Sequence, residues 1–124
     1  MIRKTDLDKL TDDHLVAQFL QIGLDQYEAL LKYNIRKHNT LYDAMVDVKN
    51  ELKRRQGDQR RALLPLLEHP NVHVKMKAAS ALLAIYPELA KRALASVRDS
   101  RILPQAADAS MMLDALDNGS FVAN

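Results

Sequence analysis

His69 and His73 stand four positions apart, and they are the first residues in this 124-residue chain whose spacing could do chemistry. On a continuous helix that interval puts two imidazoles on one face, as a metal site requires. Pro70 and Asn71 interrupt it, and Glu68 is the nearest carboxylate, so the pair reads as solvent-facing residues of a turn. His14 falls in the first turn of one predicted helix and His38 near the start of another. Neither has an acid at a spacing that would orient it as a general base. Asp8, Asp12 and Asp13 lack the alternation and turn glycine of a calcium loop; Asp12 and Asp13 suit the positive end of a helix instead. The serines have no glycine-flanked elbow, and three glycines build no phosphate-cradling loop. With no cysteine there is neither a disulfide nor a thiolate metal site. The expectation is a protein that is not an enzyme and needs no metal or cofactor.

The sharpest surface feature is cationic: Lys53, Arg54, Arg55, Arg60 and Arg61, which Lys75 and Lys77 could extend. Such a run can face an acidic protein or a nucleic-acid backbone. A solvated face that complements the negative end of a helix accounts for the same residues. No aromatic residues interleave with the cations to stack on bases, there is no Trp, and Tyr42 reads as core. The charge is uneven: Gln26 to Arg61 carries nine Lys/Arg against five Asp/Glu, and Arg101 to Asn124 one against three, although the net charge is only +2.

The elements that would position these residues read as helices throughout. Thr11 caps a helix from Asp12 to about Tyr33, with Leu10 and Leu15 stapled across the cap and a stripe of Val16, Leu20, Gly23, Tyr27 and Leu30. Asn34 breaks it. A second helix runs from Ile35 to Arg55 on Leu41, Met45, Val48 and Leu52, and Gly57 ends it. Asp58 caps a leucine-rich helix (Leu63, Leu64, Leu66, Leu67) that Pro65 kinks. Asn71 caps the next, whose stripe is Val74, Ala78, Leu82 and Ile85, widened by Ala79 and Leu83. Pro87-Glu88 opens a helix with Leu89, Ala90, Ala93, Leu94 and Val97 inward. Pro104 opens the last, with Ala109, Met112, Leu113 and Leu116 inward and Met111 in the same packing, and Asn118-Gly119 ends it. Phe121 and Val122 fold back onto the bundle. Residues 1–9 are polar and loosely ordered, with Leu7 docking.

The central pair resembles a HEAT-type repeat, with Pro70, Asn71, Val74, Ala78, Ala79 and Leu82 matching and Lys75 where arginine is usual. Over most of its length the chain resembles the bacterial domain-of-unknown-function family 2019. The carriers are NELKRRQGDQRRALLPLLEHPNVHVKMKAA, from Asn50 to Ala79, and PQAADASMMLDALDNG, from Pro104 to Gly119, where Ala107 stands in place of an expected glycine. The resemblance implies an all-α, HEAT- or armadillo-like α-α superhelix of about six helices and supplies no catalytic residues.

The expected organisation is one domain over 1–124, as the length and the 48% hydrophobic and 27% charged composition suit. With no signal-like start and no membrane-length apolar run, the expected location is the cytoplasm, without a membrane partner. The expected function is a non-enzymatic protein-interaction module, an adaptor or a neutralising partner. Its binding residues would be Lys53, Arg54, Arg55, Arg60, Arg61 and Lys75, the partner unnamed. Nucleic-acid backbone binding through the same patch is the alternative.

Overall fold

A computed structural model describes residues 4–124 of the chain as all-α. Among the described residues there are five α-helices, α1 (Asp12–Leu31), α2 (Ile35–Arg54), α3 (Val72–Leu82), α4 (Pro87–Ser100) and α5 (Gln105–Asp117). Two 3₁₀ segments accompany them, η1 (Lys4–Lys9) and η2 (Gln59–Glu68). No described residue is in a strand. Of the expected loose start, residues 1–3 lie outside the described residues, whereas 4–9 form η1 and bury Leu7. Contacts gather into two compact units, one up to Ala62 and one from Leu63 to Asn124.

In the first unit α1 and α2 pack as a hairpin, and η1 lies against α2. Thr11 Oγ1 accepts from the His14 amide at 3.1 Å, and Asn34 Oδ1 accepts from the Lys37 amide at 3.2 Å, so each helix begins at a side-chain acceptor. α2 buries Leu41, Met45, Val48 and Leu52 as the periodicity requires, but also Glu51. Tyr42 is a correction: it is exposed, one position off that stripe. Gly23 is buried as expected, but the rest of the buried face of α1 is corrected by one residue, to Leu15, Phe19, Ile22, Gln26 and Ala29. Apolar residues flank both possible stripes of α1, and the sequence favours the one that keeps Gln26 out. Gln26 shares its face with Phe19 and Ile22 and is buried with them.

The second unit begins inside η2. Residues 59–68 are 3₁₀ rather than the expected α-helix. Pro65 withdraws a donor from mid-segment, and the buried side chains Arg60, Leu63 and Leu66 recur every third residue, which is the 3₁₀ period. Asn71 Oδ1 caps α3 through the His73 and Val74 amides at 2.9 and 3.1 Å. Val74, Ala78, Ala79 and Leu82 of α3, and Ala90, Leu94 and Val97 of α4, are all but sealed from water. Burial of each leucine is worth about 1.5–3 kcal/mol, and the alanines let the helix axes approach. Leu89, placed inward by the sequence, is instead exposed at 43%. It lies in the first turn of α4, one position off the face that Ala90, Ala93, Leu94 and Val97 bury. α5 packs on α4 and also touches α3. It buries Ala106 and Ala109, whereas Met112, Leu113 and Leu116 are half-buried and Met111 is 62% exposed. The Phe121 amide turns back to the Ala115 carbonyl at 3.1 Å, but the side chains of Phe121 and Val122 are exposed.

Candidate functional site

The six cations singled out by the sequence have three different fates. Arg55 points inward across unit one. Its Nε donates to Glu51 Oε2 at 2.9 Å and its Nη1 to Asp12 Oδ1 at 2.7 Å, while Nη2 serves the carbonyls of Leu7 and Leu10 at 3.1 and 2.7 Å. It therefore ties α2 to the start of α1 and to η1. Arg54 donates to the other oxygen of Glu51, with Nε at 2.9 Å, but its side chain is 63% exposed. Burial pushes the Glu51 carboxyl up, yet the hydrogen bonds from Arg55 and Arg54 outweigh it and hold the group below the usual carboxylate range.

Arg60 is the second inward cation, 5% exposed. Its Nε and Nη2 grip Asp58 at 2.9 and 2.7 Å, and its own amide donates to Asp58 Oδ1 at 3.3 Å. Asp58 thus does cap the following segment, as a two-residue turn at left-handed φ rather than as the N-cap of an α-helix. The Arg60 guanidinium holds the Asp58 carboxyl below its ordinary range. Gly57 supplies the adjacent left-handed residue that lets α2 end and η2 begin.

Lys53 and Arg61 face solvent. Half-buried Lys49 lies beside them, and its ammonium is pushed down, first by burial and then by the charges of Arg60 and Lys53. Between 49 and 61 six cations meet two carboxylates, and Asp12 adds a third. Within this set cations outnumber carboxylates by three. The sequence places Lys49 with Lys53, Arg54 and Arg55 on the C-terminal half of α2, where cations suit the helix dipole, and leaves it outside the candidate patch. Its interval of four from Lys53, which stacks two side chains on one helix face, was the signal for including it.

Lys75 belongs to the second unit. Its Nζ reaches Ser96 Oγ at 3.4 Å, across a groove of about 190 Å³ between the end of η2, α3 and α4. Leu67, Leu89 and Ala93 line its apolar part, and Glu68 and Arg92 share its rim with Lys75. Lys77 is half-buried, and burial lowers its pKa against the opposing pull of Asp108.

The histidines separate. His69 stays in the turn, where its Nδ1 accepts from the Asn71 amide at 3.0 Å. His73 corrects the solvent-facing reading: it is 2% exposed, and the Gln105 amide nitrogen meets its Nδ1 at 3.1 Å, joining α3 to α5. His73 lies in the first turn of α3 and is buried beside Val74. Among the described residues no group of three or more His, Asp or Glu side chains is close enough to hold a metal ion. Nor is any helix there long and apolar enough to cross a membrane.

No curated protein matches the chain. The crystal structure of the protein RPA1889 from Rhodopseudomonas palustris CGA009 is similar to it, with a TM-score of 0.94 and 43% sequence identity. The match covers 96% of this chain and 98% of that one. A family model matches residues 13–117. The chain therefore belongs to the family described as Domain of unknown function (DUF2019).

Proposed function

We propose that this protein is a non-enzymatic interaction module of the cytoplasm, HEAT-like in its paired helices, which binds a protein partner with an acidic surface. The supporting observation is the surplus of positive charge at the α2–η2 corner. Arg55 and Arg60 are used up by internal carboxylates, while Lys49 feels the charges of Arg60 and Lys53, and Lys53 and Arg61 stay open to solvent. Arg54, half spent on Glu51, stays open to solvent beside them. Cations on a braced corner steer an acidic partner and fix its orientation more than they add raw affinity. Lys75, on the groove of the second unit, is a separate contact point in this reading.

The test is the double reversal Lys53→Glu with Arg61→Glu. A partner captured by the wild-type protein in affinity purification, once identified and purified, should bind the variant at least about tenfold more weakly, mostly through its association rate. Unchanged affinity at low salt removes the corner from the function. Titration of duplex and single-stranded DNA in the same series decides the alternative, because phosphate binding shows a steep loss of affinity with salt.

A further inference from the structure

At the opposite end of the hairpin, α1 and α2 are joined by three residues, Lys32, Tyr33 and Asn34. The Asn34 amide donates to the Ala29 carbonyl at 2.8 Å and the Tyr33 amide to the Leu30 carbonyl at 3.1 Å, a Schellman closure. Its pivot is the residue at left-handed φ, a position that glycine occupies at least cost. Here it is Tyr33, at φ 55. The ring gains no packing in return, since Tyr33 is 88% exposed. Leu31 and Ile35 on either side are 64% and 59% exposed. Folding alone favours neither a tyrosine at that φ nor three bare apolar side chains in five residues, so the tip points to something outside the molecule.

The charges around the tip say what kind of surface that is. No carboxylate occurs from Ala29 to Tyr42, while Lys32, Arg36 and Lys37 are all exposed and His38 follows them. The nearest acid is Glu28, one turn back, which takes the Lys32 ammonium at 2.6 Å. That hydrogen bond, then the charges of Lys32 and Lys37, hold the Glu28 carboxyl below its usual range. One cation is thus answered on the stem, and Arg36 and Lys37 remain on the tip.

We propose that the α1–α2 tip docks on an anionic membrane surface, with Leu31, Tyr33 and Ile35 entering the headgroup layer and Arg36 and Lys37 meeting lipid phosphates. Charge complementarity selects the anionic lipid. The form of the apolar part, three side chains on a projecting turn, suits a fluid interface that needs no matching pocket. Tyrosine prefers the boundary between headgroups and acyl chains, and juxtaposed cations add attraction to anionic lipid. Such a surface contact requires no spanning helix and involves none of the residues of the α2–η2 corner.

The experiment is co-sedimentation of the full chain with vesicles of phosphatidylcholine alone and of an equal mixture of phosphatidylcholine and phosphatidylglycerol. The wild-type protein should sediment with the mixture, weaken as salt is raised, and stay in solution with phosphatidylcholine alone. Arg36→Glu with Lys37→Glu should weaken binding at least about twenty-fivefold, about fivefold for each cation. Tyr33→Gly should weaken it about tenfold by removing the ring. Because glycine suits this φ, the second variant folds at least as well as the wild type, so its loss cannot be assigned to unfolding. No sedimentation of the wild type overturns the proposal. So does full binding by Tyr33→Gly, which would leave only non-specific adsorption of charge. If the tip variants instead lose an acidic protein partner and keep their behaviour toward vesicles, the tip is a protein contact and the membrane is excluded. Lys53→Glu with Arg61→Glu should leave vesicle binding unchanged, which keeps this result separate from that of the corner.

Discussion

The two ends of α2 both carry adjacent cations, and the fold treats them in opposite ways. At the C-terminal end Arg54 and Arg55 converge on Glu51, one helical turn back, and Arg55 goes on to Asp12 and two backbone carbonyls. At the N-terminal end Arg36 and Lys37 have no carboxylate on the following turn, and they stand in water beside Leu31, Tyr33 and Ile35. The difference lies in the acid supply. A cation within reach of a buried carboxylate is drawn in and becomes part of the framework, because leaving the carboxylate alone would cost more than ordering the cation. A cation without one stays where a partner can reach it. The number of positive charges in a run therefore says little about its availability, and the nearest buried acid says a good deal.

The largest effect expected from breaking this contrast is Arg55→Ala. It leaves Glu51 buried with only Arg54, and frees the carbonyls of Leu7 and Leu10, so urea unfolding should show a loss of about 3 kcal/mol. The reversal at the open end, Arg36→Glu with Lys37→Glu, should change stability little.

Acid sharpens the same contrast. Glu51 and Asp58 both have folded-state pKa values below their ordinary ones. A carboxylate of that kind contributes stability above its unfolded-state pKa, about 3.9–4.3, and gives it up as pH falls through the lower folded-state value. The unfolding midpoint should therefore fall as pH drops below about 4, and Glu51→Gln should flatten part of that fall. Equal slopes in the two proteins would show that Glu51 does not carry the linkage.

Tyr33→Gly works in the other direction. The left-handed conformation costs about 1–2 kcal/mol for a residue with a side chain, and glycine's freer unfolded state returns part of the gain, so stability should rise by about 0.5–1 kcal/mol. A gain in stability paired with a loss of vesicle binding would show a site kept at the expense of the fold. The smallest effect belongs to Lys53→Glu with Arg61→Glu, within about 0.5 kcal/mol of wild type in thermal unfolding. A larger loss would mean that these two cations are also framework.

Most of the helical plan was legible from local chemistry. Thr11, Asn34, Asn71, Pro87, Gly57 and Gly119 mark boundaries because caps and left-handed residues act over three or four positions, within one stretch of chain. Where two apolar stripes ran side by side, as in α1, periodicity picked the one that leaves Gln26 out, and packing buried the other. Pro65 announced an irregularity, but only the period-three burial of Arg60, Leu63 and Leu66 made it 3₁₀. The cationic run was legible in sequence, but Lys49 was read only as a complement to the helix dipole, and the apolar tip was passed over. Leu31 and Ile35 look like any core residues in a string of letters, and Tyr33 shows its φ only in three dimensions.

The sequence by itself determined that this chain is all-α, where its α-helices start, and which family it belongs to, since propensity, capping and motif are properties of neighbours. The tertiary structure alone decided that Arg55 is spent on Asp12, 43 positions away, that His73 is sealed against Gln105, 32 positions away, and that Tyr33 is bare. Burial and ion pairing depend on distances between residues that the chain order leaves free, and only the packing of one helix on another settles those.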